Sequence, residues 1–223
     1  RVFMKTLIVA PHADDETLGV GGTILKRSSN KKNKVYWMIM TEKDTNNYSY
    51  NKIQKRRLEI LKVKKLLNFK KVFSLRYPPT SLESQKRTLM IKRVKLILDK
   101  LKPEEIFMPH YSDVHSDHKV TFDIISSCTK NFRARYIKRI LCYQTISETN
   151  FHLKKKEHFF PNYYEDISKF IKKKLRVIGI YKSEIKKFPF PRSKKTVLSL
   201  AYLRGSEINK KAAEAFEIMK WIS

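Results

Sequence analysis

The sequence is short of cysteine and of long apolar runs, and both shortages restrict the class of protein. Cys128 and Cys142 are the only cysteines among 223 residues, and their spacing matches no metal motif. We expect reduced thiols rather than a disulfide, with Cys142 in a strand. The longest apolar runs, KTLIVAP and KVYWMIM, have the length of strands and fall well short of the ~20 residues of a membrane-spanning helix. No segment is therefore expected to cross a bilayer.

The sequence also has no recognisable export signal. Met4 has the position of an initiator methionine, and residues 1–3 are interpreted as an upstream remnant. The KTLIVAPH segment that follows is typical of a strand leading into a motif and has no cleavage site. We expect a cytoplasmic protein.

Acidic residues are scarce and unevenly distributed. Lysine and arginine number 49 against 21 aspartates and glutamates, which gives a formal net charge of +28. This charge is compatible with an anionic substrate, with peripheral contact with an anionic membrane, or with a solvated lysine-rich surface that has no partner. No nucleic-acid module is recognisable, so we expect no specific nucleic-acid partner. Five of these acids lie in two clusters, Asp14, Asp15 and Glu16 in one and Asp113 and Asp117 in the other, which indicates a chemical role for them.

The length and the hydrophobic content of 41% predict a single domain with a sizeable core, spanning 1–223 including the remnant. Short β-rich runs alternate with longer helical patterns, which predicts a Rossmann-like α/β fold with three layers, α/β/α, and a mostly parallel sheet. The predicted strands are Lys5–Ala10, Lys34–Thr41, Lys71–Leu75, Glu105–Pro109 and Arg139–Thr145. The predicted helices are Leu18–Arg27, Ile53–Leu67, Leu82–Leu101, His118–Lys130, Asp166–Lys182 and Ser206–Trp221.

Histidines and acids follow the first and the fourth predicted strands, in PHADDE and PHYSDVHSDH. In open α/β sheets ligands bind beyond the carboxyl ends of the strands, so both segments should face one crevice. His12 and Asp15 lie three residues apart in a turn, and His118 follows the fourth strand. Catalytic zinc typically takes three such ligands and leaves one position for water. The pattern therefore predicts a metal site built from His12, Asp15 and His118.

The glycines of the GVGGTI segment directly follow the first motif. They lack the third glycine of a dinucleotide-binding fingerprint, and residues 12–16 occupy the turn where a pyrophosphate would lie. We interpret Gly19, Gly21 and Gly22 as small residues that let the first helix pack closely on the sheet.

The paired motifs PHADDE and DVHSDH resemble those of the LmbE-like and PIG-L family of zinc-dependent N-deacetylases, whose members release acetate from N-acetylated amino sugars. The resemblance extends over nearly the whole chain, through Arg56 and Glu59 in KRRLEILKVKKLLNF and through FFPNYYEDISKFIKKKL and RGSEINKKAAEAFE. SETNFH, PNYYEDIS and FPRS are most similar to the bacterial branch associated with surface-polysaccharide and antibiotic sugar pathways. The chain departs from the family at Glu42 and Asn68, where glycine is common.

The resemblance implies that His12, Asp15 and His118 bind Zn²⁺, although Fe²⁺ or Co²⁺ would also accept these ligands. It also implies that Asp14 is the general base for attack of a zinc-bound water on the acetyl carbonyl. The proton taken up by Asp14 would then pass to the departing amine. His115 is expected to polarise the carbonyl from the side opposite the metal.

Asp117 has two interpretations. It could cap the helix that contains His118, a role that suits aspartate. Alternatively, it pairs with His115 and favours the protonated imidazole, which makes His115 a donor to the developing oxyanion. We prefer the second interpretation, with the cap as a further duty, and assign Asp14, His115 and Asp117 to the catalytic set.

Substrate contacts are expected from Arg56, Asp113 and Arg192. The family places an arginine near the substrate at the position of Arg56. Asp113, together with His110, is expected to line the cleft, and Arg192 is expected to meet an anionic part of the substrate. Glu16 has a simpler interpretation as an acid in the first turn of a helix, where the helix dipole favours negative charge.

The predicted function is hydrolysis of an N-acetyl group on a nucleotide- or lipid-linked amino sugar, in surface-polysaccharide or glycoconjugate biosynthesis. The phosphate of such a substrate is inferred from the basic charge of the chain and not from a motif. One alternative is an O-acetyl esterase or another amidase with the same metal site. Another is a non-catalytic binder of an anionic polymer or a membrane surface, which would have no need of the clustered histidines and acids.

Overall fold

A computed structural model describes residues 4–153 and 158–223. Over these residues the chain alternates strands and helices along most of its length. The strands are β1 (Lys5–Ala10), β2 (Lys34–Thr41), β3 (Lys71–Tyr77), β4 (Glu105–Pro109), β5 (Arg139–Tyr143), β6 (Tyr163–Asp166) and β7 (Ala213–Trp221). The helices are α1 (Asp15–Ser29), α2 (Tyr50–Leu66), α3 (Arg87–Leu101), α4 (Ser116–Cys128), α5 (Ile171–Ile178) and α6 (Lys194–Ser206). Single 3-10 turns occur at Leu82–Ser84 and Thr149–Phe151.

The strands form one sheet in the order β3-β2-β1-β4-β5-β7-β6. Strands β1 to β5 are parallel to one another, and β7 runs antiparallel between β5 and β6. Strand β1 pairs with β2 on one side and with β4 on the other. The strand order therefore reverses between β1 and β4, which is where a doubly wound sheet opens a crevice at the carboxyl ends of its strands.

Apolar side chains cover both faces of this sheet, as expected for parallel strands between two helical layers. Along β1, Ile8 and Ala10 join one core, with apolar residues of α1, α2, α5 and α6. Leu7 and Val9 point the opposite way and join a second core with α3 and α4. The expected three-layer α/β/α architecture is confirmed.

Two glycines of the GVGG segment allow α1 to lie close to its neighbours. A Cβ atom on Gly19 would come within 2.3 Å of the Tyr143 ring, and one on Gly22 within 2.7 Å of Ile167. Both distances are far shorter than any van der Waals contact allows. The interpretation as packing residues is confirmed for Gly19 and Gly22.

The C-terminal half contains the largest departures from expectation. The helix predicted over Ser206–Trp221 is wrong: residues 213–221 form strand β7, and the helix of this region, α6, ends at Ser206. The alanines and glutamates of this segment favour helix intrinsically. Here they form a strand because β5 and β6 pair with the segment on its two sides. The helix predicted over Asp166–Lys182 is shorter, and β6 precedes it.

The expectations for the two cysteines hold. Cys128 and Cys142 are free and buried, and Cys142 lies in β5. Asn68, which replaces a family glycine, has a φ of 57°, a left-handed conformation that asparagine tolerates better than most residues. No helix of the described part of the chain combines the length and the apolarity needed to span a membrane.

Candidate active site

The candidate site lies at the reversal point between β1 and β4. Residues 11–14 follow β1 and lead directly into α1, while residues 110–115 follow β4 and lead into α4. Because β1 and β4 are adjacent and parallel, the segments that follow them meet beyond the carboxyl ends of the two strands. A cavity of about 250 Å³ opens there, lined by His12, Asp14, Asp15, His115 and His118 among others.

Three side chains of this cavity have the arrangement of metal ligands. His12, Asp15 and His118 each offer one ligand atom, and the three atoms lie within 4.8 Å of one another. Asp15 Oδ2 lies 3.3 Å from His12 Nδ1 and 3.3 Å from His118 Nε2. Donors bound at about 2.0–2.1 Å around a tetrahedral zinc stand roughly 3.3–3.5 Å apart. The residues present therefore fit a zinc ion in both chemistry and spacing.

The second nitrogen of each of these imidazoles is held by a buried carboxylate. His12 Nε2 lies 2.9 Å from Asp117 Oδ2, and His118 Nδ1 lies 2.8 Å from Asp113 Oδ2. This pairing fixes the orientation of each ring and directs its other nitrogen at Asp15, as carboxylates behind metal-binding histidines commonly do. Although burial lowers it, Asp117 and Asp15 raise the pKa of His12 to about 9. The same acids that stabilise an imidazolium would stabilise a bound cation.

His115 and Asp117 do not pair in the way that the sequence interpretation assumed. The Asp117 carboxylate bonds to His12 and to the backbone N–H groups of Thr80 and Leu82. His115 is instead the N-cap of α4, and its Nδ1 accepts from the backbone N–H of Asp117 at 3.1 Å. Burial and the neighbouring His12 and His118 lower the pKa of His115 to about 4. The imidazole is thus neutral, with its proton on Nε2.

Asp113 and His110 lie behind the cavity wall rather than on it. Both side chains are fully buried. Asp113 Oδ1 accepts from Thr149 Oγ1 at 2.6 Å while its other oxygen holds His118. His110 lies between Ser112 and Glu217. Because neither lines the cavity, the substrate contact expected from Asp113 is replaced by a contact with an expected metal ligand.

Asp14 combines a buried carboxyl with a strained backbone. Burial and the adjacent Asp15 raise the pKa of Asp14 to about 7, against the opposing charges of Arg192 and Arg56. Arg192 Nη1 lies 3.2 Å from Asp14 Oδ2. The backbone has φ 154° and ψ −28°, a combination that side-chain sterics disfavour and that costs about 1–3 kcal/mol. Such strain is concentrated at functional positions.

Glu16 lies in the first turn of α1, as expected, but its contacts go beyond an interaction with the helix dipole. Its side chain is fully buried, and burial raises the pKa of its carboxyl to about 8. The carboxyl accepts from the backbone N–H of Asp14 and bonds to the hydroxyls of Thr17 and Tyr181. Glu16 therefore belongs to the support of the site.

Both expected substrate arginines line the cavity, and both are already paired. Arg56 donates to the carbonyl oxygen of Ala13 at 2.6 Å and forms an ion pair with Glu184. Arg192 bonds to Asp14 and Glu148. These contacts fix the guanidinium groups in place and neutralise most of their charge inside the cavity.

Several cavity residues were not identified from the sequence. Lys43 and Tyr48 follow β2, Glu148 lies beyond β5, and Glu184 lies beyond α5. The carboxyl ends of β2 and β5 are near the reversal point, so the sheet order would have indicated the first two segments, but that order is not readable from the chain. The sequence offers no comparable signal for Glu184.

Comparisons with known proteins identify deacetylases of similar sequence and fold. Diacetylchitobiose deacetylase of Thermococcus kodakarensis is 27% identical over 193 residues, covering 81% of this chain and 70% of that protein. The solved structure of N,N'-diacetylchitobiose deacetylase from Pyrococcus horikoshii, complexed with its inhibitor MPG, superposes with a TM-score of 0.76 at 26% identity. That match covers 97% of this chain and 84% of the other.

The fold itself is shared more widely than the reaction. GalB, the 4-carboxy-2-hydroxymuconate hydratase of Pseudomonas putida, has the same fold with a TM-score of 0.76 at 12% identity, over 99% of this chain and 98% of its own. Fold likeness therefore leaves the reaction to be argued from the site. The model of the family described as PIG-L, GlcNAc-PI de-N-acetylase, matches residues 7–129. Since this match spans more than half of the chain and contains both motifs of the site, the protein belongs to the PIG-L family.

Proposed function

We propose that this protein is a metal-dependent N-deacetylase that hydrolyses the acetamide group of an amino sugar, with the whole chain forming one functional domain. The observation that supports it most is the convergence of Asp14, His115 and the three potential metal donors on one cavity. Relatives named diacetylchitobiose deacetylases support an N-acetylated sugar as substrate.

His12, Asp15 and His118 would hold the metal ion, with Zn²⁺ the expected occupant of this donor set. A divalent ion bound there lowers the pKa of a water molecule and polarises the acetyl carbonyl. Asp113 and Asp117 keep the two imidazoles in the tautomer and orientation that the ion requires.

Asp14 is the proton carrier of the proposed reaction. Its carboxylate accepts a proton from the attacking water, and the carboxylic acid then gives it to the nitrogen of the departing amine. A pKa near 7 suits both steps, because the group is basic enough to take the proton and acidic enough to return it. Arg192, 3.2 Å away, favours the ionised form needed at the start.

His115 is the proposed donor to the oxygen of the tetrahedral intermediate. Because its Nδ1 accepts a backbone hydrogen bond, its Nε2 carries a proton that can be donated without any change of protonation state. This differs from the imidazolium expected from the sequence. A fixed neutral donor in a desolvated cavity still stabilises developing negative charge.

The charges of the cavity favour an uncharged sugar in the site. Lys43 and Arg56 both pair with Glu184, and Arg192 pairs with Asp14 and Glu148. Each of these three cations already has an acidic partner, so a phosphate that bound one of them would have to displace a carboxylate. We propose that any nucleotide or lipid phosphate on the substrate contacts the lysine-rich surface outside the cavity.

Acetate release tests the proposal. The protein would be stripped of metal with a chelator, reloaded with Zn²⁺, Fe²⁺ or Co²⁺, and offered free, nucleotide-linked and lipid-linked N-acetyl sugars beside their O-acetyl counterparts. We expect metal-dependent acetate release from an N-acetyl sugar. Asp14→Asn should lower turnover by ~100-fold or more while the metal content stays unchanged.

Asp99→Asn is the matched control, because Asp99 is a solvent-exposed aspartate of α3 far from the cavity in the fold. It should leave acetate release at the wild-type rate. The proposal fails if the metal-loaded protein releases no acetate from any N-acetyl sugar, or if only O-acetyl sugars are cleaved.

A further inference from the structure

The peptide group between Ala13 and Asp14 is held by a side chain at each of its polar atoms. The Ala13 carbonyl oxygen accepts from Arg56 Nη1 at 2.6 Å. The Asp14 N–H donates to Glu16 Oε2 at 2.9 Å. Rotation of this peptide plane changes ψ of Ala13 and φ of Asp14, so the two bonds together fix the unusual φ of 154° at Asp14.

The two side chains that hold this peptide are themselves connected through Tyr181. The Tyr181 hydroxyl donates to Glu16 Oε1 at 2.8 Å. The face of the Tyr181 ring lies under the Arg56 guanidinium, with 5.2 Å from Cζ to the ring centroid. Glu16 and Tyr181 are both fully buried. Arg56, Tyr181 and Glu16 therefore enclose the Ala13–Asp14 peptide in one continuous set of contacts, which we call the peptide clamp.

An ordinary helix cap does not account for the clamp. In a capping box, a glutamate at the third helical position bonds to the N-cap N–H, and the N-cap residue has an extended backbone with negative φ. Here the glutamate is at the second helical position, and the N-cap residue, Asp14, has a positive φ. A carboxylate whose only role was to interact with the helix dipole could equally well be exposed to solvent. The clamp therefore holds the backbone conformation of one residue, Asp14.

We infer that Glu16 and Tyr181 are positioning residues for Asp14, which hold its strained backbone so that the carboxylate faces the substrate cavity. This inference rests on the proposed function, in which Asp14 carries the proton. Without Glu16 the Asp14 N–H has no partner within the clamp. The peptide then rotates toward a relaxed φ, and the carboxylate moves away from the position where it can accept the proton.

Kinetics of clamp variants test the inference. Glu16→Ala should lower kcat roughly 100-fold, the scale of loss that follows a displacement of about 1 Å in a reacting group. Glu16→Gln should recover most of the rate, because its amide oxygen can still accept from the Asp14 N–H. Tyr181→Phe should lower kcat by a smaller factor, since the ring remains under Arg56. In all three variants KM and metal content should stay close to wild type.

Tyr163→Phe is the matched control for the loss of a hydroxyl. Tyr163 also donates to a carboxylate, that of Glu165 on β6, but it does not line the cavity. Its kcat should equal that of the wild type. Thermal unfolding of each variant separates loss of position from loss of fold, and Glu16→Gln and Tyr181→Phe preserve the shape of the core if Glu16→Ala unfolds.

A double variant decides whether Glu16 acts through Asp14. In the Asp14→Asn background, Glu16→Ala should cause no further fall in rate, because the group that it positions is already gone. Multiplicative losses, or a Glu16→Ala enzyme with wild-type kcat, would overturn the positioning role. A wild-type protein that releases no acetate would instead remove the proposed function, so the two failures are distinguishable.

Discussion

At the scale of single residues, Asp117 shows how one buried carboxylate can organise two segments. It accepts from His12, which follows β1, and from the backbone N–H groups of Thr80 and Leu82, which follow β3. These bonds help to hold the pKa of Asp117 below its usual range although burial opposes this. The carboxylate is thus ionised and available to orient His12.

Replacing Asp117 should weaken metal binding more than it changes the proton chemistry. Asp117→Asn keeps the shape of the side chain but removes the charge that supports His12. We expect a 10–100-fold loss of metal affinity, as is common for carboxylates behind metal-binding histidines. Competition with a chromogenic chelator measures it. At saturating metal, turnover should recover to a large extent.

Asp123→Asn provides the comparison, since Asp123 is a half-exposed aspartate on the same helix, α4, whose side chain forms a surface ion pair with Arg87. Its metal affinity should be that of the wild type. If Asp117→Asn instead binds metal normally and loses turnover at every metal concentration, the carboxylate acts on His115 or the substrate and not on His12.

At the scale of elements, the position of α1 depends on Gly22, a residue without a side chain. The contact of Gly22 with Ile167, which follows β6, leaves no room for a methyl group. Glu214 of β7 accepts from the backbone N–H groups of Gly22 and Thr23, and Lys174 of α5 donates to the carbonyl of Leu18. Helix α1 is therefore fixed from the side by two other elements.

Gly22→Ala should destabilise the fold by about 1–3 kcal/mol, the usual cost of overpacking a closed contact. Gly21→Ala is the matched control. Its Cβ would lie 3.2 Å from Lys174 Cγ and 3.3 Å from Thr17 Cγ2, a mild crowding offset by the ~1 kcal/mol gain in helix propensity. Urea unfolding measures both. Equal stabilities for the two variants would show that α1 can shift away from Ile167.

The sheet elements differ in how far the sequence predicts them. Strands β1, β2 and β4 were predicted with the observed bounds, because buried parallel strands are continuous apolar runs between helices. Strand β7 was not, because its Ala-Glu composition favours helix and its pairing with β5 and β6 is set by distant segments. A sequence pattern therefore predicts a strand whose own residues are continuously apolar, and it fails for a strand that forms only because distant segments pair with it.

The same distinction holds within the site. His12, Asp15 and His118 could be grouped from motif spacing and strand ends, and in the structure their donor atoms lie within 4.8 Å of one another. The partners of Asp117 and Glu16 in other segments could not be identified from the sequence, because they lie far away along the chain. Tyr181, which bonds to Glu16, is an example. Side-chain pairing depends on three-dimensional packing that residue order does not contain.

At the scale of the whole molecule, the net charge of +28 is a force against folding. There are 21 acids for 49 lysines and arginines, so more than half of the cations have no acid of their own. The acid-rich cavity lies within this positive surface. Repulsion among surface cations destabilises the compact state, and dissolved salt screens it.

We therefore expect the thermal unfolding temperature to rise between ~0.01 M and ~0.15 M salt, as the Debye length falls from ~30 Å to ~8 Å. Scanning calorimetry at several salt concentrations measures it. Lys31→Glu with Lys32→Glu, in an exposed turn before β2, lowers the net charge and should reduce the slope. A temperature that falls with added salt would mean that surface ion pairs outweigh the repulsion.

The backbone of Asp14 has a consequence for natural and laboratory selection. A φ of 154° suits glycine better than any residue with a side chain. Selection for thermal tolerance alone would therefore favour Asp14→Gly, which relieves the strain and removes a buried acid. Glycine, the residue that best fits the backbone at this position, cannot transfer a proton. Thermal stability and catalytic turnover therefore favour different residues at position 14.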